Sequence, residues 1–342
     1  METPEFQKML AQRDASVFPS VMLFEGEEAY TREKALADLE EILLPPGLED
    51  MNRSLLNDPS VDEIIAGAET LPMLADRRMI LIRDYAPLVG RPEAEERLLD
   101  YLPTVPPSSV VLFYCTQKTD KRKKLFTLVK KLNGVVSFAP MSEADLVHFV
   151  TEGFRELGRT CDIRTAEQLI FTCGTDATLL RAEIAKIAAH SLENTPVTPE
   201  EVTALATPST ECTVFQMVDA VVSGQSGRAF HLMRNLVQSG TERVFIISML
   251  LRQFRLLQHV KILQYEKKPR EFIRNALGVP AFALDRYFRQ AALFTGGQSK
   301  QAVRLCLDTE FAVKSGRQNQ EGALETLMLK LLTLRMPAES LK

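Results

Sequence analysis

Val21-Met22-Leu23-Phe24-Glu25-Gly26-Glu27-Glu28-Ala29-Tyr30-Thr31-Arg32-Glu33 runs an apolar strand into a glycine, and the glycine into a helix. The segment Val21–Gly26 reads as a buried strand, and Glu28–Leu43 as a helix with Leu36, Leu39, Ile42 and Leu43 at helical spacing. Pro45-Pro46-Gly47 stops that helix. Outward from this unit the alternation continues. Strands are predicted at Met51–Leu56, Met79–Arg83, Ser109–Cys115 and Val135–Phe138, with helices at Val61–Glu69, Pro92–Leu102 and Lys121–Leu132 between them. Strands that alternate with helices predict a parallel sheet with crossover helices.

In such a sheet the turn after the first strand is where a nucleotide phosphate would sit. The phosphate-binding loop GxxxxGK[ST] needs its glycines for close backbone approach, lysine for charge and a hydroxyl for magnesium. Laid over that template, Gly26 takes the first position, Thr31 the second glycine, Arg32 the lysine and Glu33 the hydroxyl. Glu27 and Glu28 add negative charge at the helix N-terminus, where they favour the helix dipole and repel an anion. At contact distance each such repulsion is worth roughly 1 to 4 kcal/mol. The third strand ends Arg83-Asp84-Tyr85, without the Asp-Glu pair that ATPases use, and Asp84 reads as a solvated strand-end residue. The architecture is ATPase-like and its chemistry is missing, so no cofactor is expected.

After Pro140 the strand signal ends. Helices are predicted at Ser142–Gly158, Thr165–Cys173, Asp176–Leu192 and Thr198–Ala206, followed by a linker at Thr207–Thr210. Beyond it lie Val214–Ser223, Gly227–Ser239, Glu242–Tyr265, Arg270–Leu277, Ala281–Phe294, Ser299–Lys314 and Gln320–Arg335, without a fixed-period repeat. The chain is thus predicted to be α/β plus all-α, with an α/β domain over residues 1–140, a small helical domain over 141–210 and a larger helical domain over 211–342. From Thr213 onward there are 19 Lys and Arg against 10 Asp and Glu, and before it 22 against 35, a split that suggests different partners for the two ends. No membrane-spanning run and no leader pattern are present, which points to the cytoplasm. The five cysteines form no CxxC and the four histidines no HExxH, so neither a disulfide framework nor a metal site is suggested.

Several segments, in order along the chain, carry a resemblance. They are Leu23-Phe24-Glu25-Gly26-Glu27-Glu28-Ala29-Tyr30, Thr70-Leu71-Pro72-Met73-Leu74-Ala75-Asp76-Arg77-Arg78 and Leu179-Leu180-Arg181-Ala182-Glu183-Ile184-Ala185-Lys186. Val214-Phe215-Gln216-Met217-Val218-Asp219-Ala220-Val221, Leu251-Arg252-Gln253-Phe254-Arg255-Leu256-Leu257 and Phe311-Ala312-Val313-Lys314-Ser315-Gly316 complete the set. Together they resemble the delta subunits of bacterial DNA polymerase III, which belong to the clamp loader. The resemblance implies an AAA+-like domain lacking a P-loop, a helical lid and a helical collar. It also implies a non-catalytic subunit that binds and opens the sliding clamp, joins the other clamp-loader subunits through its C-terminal domain, and meets DNA through the assembled complex. Read from the residues alone, an ATPase with a degenerate P-loop and a helical scaffold are the alternatives, the former disfavoured by Arg32 and Glu33.

The resemblance also directs attention to Leu71-Pro72-Met73-Leu74, between a predicted helix and strand. By residue type alone, Met73 and Leu74 would cap the core of the sheet. The resemblance instead implies that this apolar pair enters a pocket on the clamp, although many members carry an aromatic where this chain has Leu74. A basic cluster, Lys121, Arg122, Lys123 and Lys124 with Lys118, Lys130 and Lys131 nearby, is a candidate phosphate contact or a solvated helix face. The run Arg243–Arg274 holds eight Lys and Arg and two Glu among apolar positions, and is read as subunit packing first and DNA contact second.

Overall fold

The computed structural model describes residues 1–90, 92–190 and 195–334. They form two compact units, Met1–Ser142 and Glu143–Lys342.

The first unit is built on five strands, β1 (Val21–Gly26), β2 (Arg53–Asn57), β3 (Arg78–Arg83), β4 (Ser109–Tyr114) and β5 (Val135–Phe138), in the order β2-β3-β4-β1-β5. Every pairing is parallel, as the alternation predicted. Successive side chains of a strand point to opposite faces, so both faces must be covered. Leu23, Ile80, Ile82, Val111 and Phe113 pack with helices Val61–Glu69 and Lys124–Lys131 on one side. Met22, Phe24, Leu81, Leu112 and Tyr114 pack on the other side with helix Ala29–Leu43.

A helix at Thr3–Gln12, absent from the predicted elements, completes that second face. Its Phe6 is fully buried, with its ring centroid 5.2 Å from Phe24 and 5.8 Å from Phe18. Two predicted boundaries shift for visible reasons. The strand expected from Met51 starts at Arg53, because Glu49–Asn52 form a helical turn that directs Asn52 inward. The helix expected from Lys121 starts at Lys124, because residues 120–123 form a turn closed by the Lys123 N–H on the Asp120 carbonyl at 3.1 Å and Lys123 itself is extended.

The described residues of the second unit form helices and their connections, with one isolated parallel bridge between Cys161 and Val197. Its helices are Glu143–Glu156, Ile163–Cys173, Ala177–His190, Pro199–Leu205, Thr210–Ser223, Ser226–Gln238, Arg243–Tyr265, Arg270–Leu277, Leu284–Ala292, Gly296–Lys314 and Gln320–Thr333. The predicted ends at Leu192 and Arg335 lie outside the described residues. Met217, Leu250, Phe254, Phe294 and Leu327 are among the side chains that fill the larger core. The expected linker is shorter than predicted: Ser209 caps the next helix by accepting from the Cys212 N–H at 3.2 Å, so Thr210 is already helical. The connection is also tied down, with Thr207 N–H donating to Glu183 and Ser209 N–H to the Thr172 carbonyl. No described helix is long and apolar enough to cross a membrane.

Candidate functional site

The turn after β1 is the position at which open parallel sheets bind nucleotides. A cavity of about 600 Å³ lies there, lined in part by Glu25, Gly26, Glu27, Arg32, Thr119 and Lys121. Gly26 has φ +127, and a Cβ placed on it would stand 2.2 Å from the Phe138 carbonyl oxygen of β5. The glycine is thus required by the approach of β5, independently of any phosphate. The Phe138 carbonyl accepts instead from the Glu28 N–H at 3.1 Å. Glu28 in turn caps helix Ala29–Leu43, its carboxylate accepting from the Tyr30 N–H.

Arg32, at the P-loop lysine position, is buried. Its guanidinium donates to the Gly26 carbonyl and lies over the Tyr114 ring, 5.1 Å from the centroid. A positive charge held by the chain's own carbonyl and ring is withdrawn from any anion in the cavity. Glu33, at the magnesium-hydroxyl position, points outward toward Arg83 at 3.9 Å. Asp84 differs from its reading as a solvated residue. It accepts from Thr116 N–H (2.7 Å), Thr116 Oγ1 (2.6 Å) and Gln117 N–H (3.3 Å), tying the end of β3 to the loop after β4.

Glu25 is the buried carboxylate of this region. It accepts from Ser137 Oγ at 2.6 Å and Thr119 Oγ1 at 2.8 Å, and pairs with Lys121 Nζ at 3.1 Å. Burial alone would raise its pKa, but the hydrogen bonds from Ser137, Thr119 and Lys121 outweigh it and leave the carboxyl below the ordinary 4.5. A folded-state pKa below the unfolded one stabilises above the unfolded value and loses that contribution as pH falls through the folded value. Glu25→Gln is therefore expected to lower the melting temperature at pH 7, with the gap to the parent narrowing as pH falls below the ordinary carboxylate range. Parallel melts of the two proteins across pH 3 to 7 check this, and a gap that persists unchanged into acid contradicts it.

The same clasp engages part of the basic cluster. Lys121 is held by Glu25, Arg122 by Asp120 (2.9 Å) and Lys123 by Glu93 (3.0 Å). The paired Arg122 guanidinium holds the Asp120 carboxyl down to about 2. Lys124 is exposed and has no acidic partner among the described residues. Lys118, Lys130 and Lys131 are exposed as well.

The apolar loop is displayed, outside the core of the sheet. Leu71 is 79% exposed, Met73 55% and Leu74 85%, with Pro72 half-buried between them. Leu74 has φ +52, a left-handed conformation uncommon for a branched side chain. The loop is held at its far end by the two arginines that lead into β3. The Arg77 guanidinium is buried and donates to the Ala15 carbonyl (2.7 Å), the Phe18 carbonyl (2.8 Å) and Ser20 Oγ (3.2 Å). Arg78, also buried, donates to Ser54 Oγ at 2.8 Å. A buried cation bonded to two carbonyls, as Arg77 is, is costly to displace, so its bonds fix where the loop enters β3.

A parallel sheet covered on both faces, a strand-glycine-helix turn with its phosphate-binding residues replaced, and a helical C-terminal region define an AAA+-like protein without a P-loop. Family comparison narrows the class. The descriptions "DNA polymerase III, delta subunit" and "DNA polymerase III delta subunit, C-terminal domain" match residues 22–139 and 211–331. The two matches together span more than half of the sequence, and the chain belongs to the DNA polymerase III delta subunit family, a component of the replication clamp loader. The DNA polymerase III subunit delta of Bacillus subtilis (strain 168) is 22% identical over 329 residues, covering 94% of each chain. The solved Bacillus subtilis DNA clamp loader delta protein shares the fold, with a TM-score of 0.58 at 21% identity over 97% of this chain and 99% of that one.

Proposed function

We propose that this chain binds and opens the sliding clamp in the cytoplasm, and that it neither binds nor hydrolyses ATP itself. The observation that carries the proposal is the exposure of Leu71, Met73 and Leu74 on a loop anchored by buried polar contacts. Large apolar side chains held in water are what a docking site presents before its partner covers them. Clamp contact is assigned to Leu71, Pro72, Met73 and Leu74 within the domain of residues 1–140. The helices of residues 141–210 are assigned as the lid. Residues 211–342 are assigned as the collar that packs with the other clamp-loader subunits. Exposed Phe311 and Leu307, four residues apart on one helix face, offer apolar surface for that packing. DNA is met in the assembled complex, with Lys121, Arg122, Lys123 and Lys124 as the candidate phosphate contacts and Lys124 supplying the uncompensated charge.

Titration calorimetry of the isolated protein with magnesium ATP tests the second half of the proposal. No binding heat is expected, because Arg32 is spent on Gly26 and Tyr114 and Glu33 replaces the hydroxyl. Arg32→Lys is not expected to create a site, since Thr31 and Glu33 remain. Saturable micromolar binding by the parent protein would contradict the reading.

A further inference from the structure

Asn52 is fully buried in the first unit, at the end of the helical turn Glu49–Asn52 and immediately before the edge strand β2. Its carboxamide meets the backbone of Met73 at both polar groups. The Met73 N–H donates to Asn52 Oδ1 at 2.7 Å, and Asn52 Nδ2 donates to the Met73 carbonyl at 2.9 Å. The same Nδ2 donates to the Leu48 carbonyl at 3.1 Å. Two carbonyls on one side and an N–H on the other fix which end of the amide is oxygen, so the arrangement has a single orientation.

We propose that Asn52 is the positioning residue of the clamp-binding loop; the inference rests on the assignment of Met73 and Leu74 as the contact. The amide reproduces the pair of hydrogen bonds that a neighbouring strand would give Met73. It satisfies that residue's backbone without a strand and leaves both faces of the loop free of a covering chain. With the Met73 peptide held at both ends, the left-handed turn at Leu74 directs the most exposed apolar side chain of the loop into solvent. Backbone order is thereby established before association, and its entropic cost is removed from the binding step. Aspartate cannot substitute. Its carboxylate would still accept from Met73 N–H but would face the Met73 and Leu48 carbonyls without a proton to donate.

The test is a cycle of four full-length proteins: the parent, Asn52→Ala, Met73→Ala/Leu74→Ala and the triple variant. Each is measured by thermal melting, by affinity for the purified sliding clamp of the same organism, and by hydrogen exchange at the Met73 amide. Asn52→Ala is expected to unprotect that amide and to weaken clamp binding about ten-fold. It is expected to add nothing when Met73 and Leu74 are already alanine. Asn52→Asp is expected to give the same pattern and carries the test if the alanine variant does not fold. Parent-like clamp affinity in a folded Asn52 variant, or an equal loss in both backgrounds, would overturn the positioning role. So would loss of folding in both Asn52 variants. Parent-like affinity of Met73→Ala/Leu74→Ala would instead remove the contact assignment beneath it. The exchange result at Met73 separates the two failures, because it needs no clamp.

Discussion

Met73→Ala/Leu74→Ala is expected to leave the protein melting close to the parent and to lower its affinity for the sliding clamp by at least about two orders of magnitude. Burial of a Met or Leu side chain in a partner pocket contributes about 1.5 to 3 kcal/mol, and each 1.4 kcal/mol is about ten-fold in affinity. The stability half of the expectation follows from exposure. Both side chains face solvent in the free protein, and substitutions at such positions usually change stability by about 0.5 kcal/mol or less. Had these residues been core, the same change would cost about 2 to 5 kcal/mol for each truncation. Thermal melting and clamp affinity on one preparation therefore separate a docking loop from a packing defect. A double variant that binds like the parent would remove the loop from the interface.

Gly26→Ala is expected to have the largest effect on stability, and for a reason unrelated to phosphate. At φ +127 an alanine is strained, and its methyl group would overlap the Phe138 carbonyl. Phe138 cannot retreat: its side chain is fully buried, with its ring centroid 5.1 Å from Phe24 in the core of the second face. Strain and overpacking together should cost about 3 kcal/mol, or about 10 °C in the melting of the N-terminal unit. A variant within about 2 °C of the parent would show that β5 can shift away from β1. The glycine of the strand-glycine-helix turn thus has an architectural cause that needs no phosphate.

Where the sequence was legible, the signal was local and repeated. Val61–Glu69 was readable to the residue because Ser60 and Glu63 form a reciprocal cap at its start, and β4 to within one residue, Ser109–Tyr114 against the expected Ser109–Cys115, because six consecutive residues are buried on both faces. Helix Thr3–Gln12 escaped because Phe6 and Leu10 are its only buried side chains, too few to establish a period. The apolar tip Met73-Leu74 could be singled out through the resemblance, but its exposure could not, since the same residue types serve as core. Its supports were invisible for a different reason. Asn52 lies 21 residues from Met73, and Arg77 reaches carbonyls 59 and 62 residues away. No periodicity or motif reports a side-chain-to-backbone contact made across the fold. The same holds for the basic cluster, where Glu25 and Glu93 neutralise Lys121 and Lys123 from 96 and 30 residues away. A run of charge in sequence therefore overstated the free charge in space.

The central claim is that this chain alone, without nucleotide, holds the sliding clamp through the 71–74 loop. Its most direct test is surface-based binding of the full-length protein to the purified clamp of the same organism, with ATP omitted throughout. The account predicts a saturable complex that forms without ATP and is unchanged when ATP is added. Absence of binding without ATP, with binding restored by its addition, would contradict it.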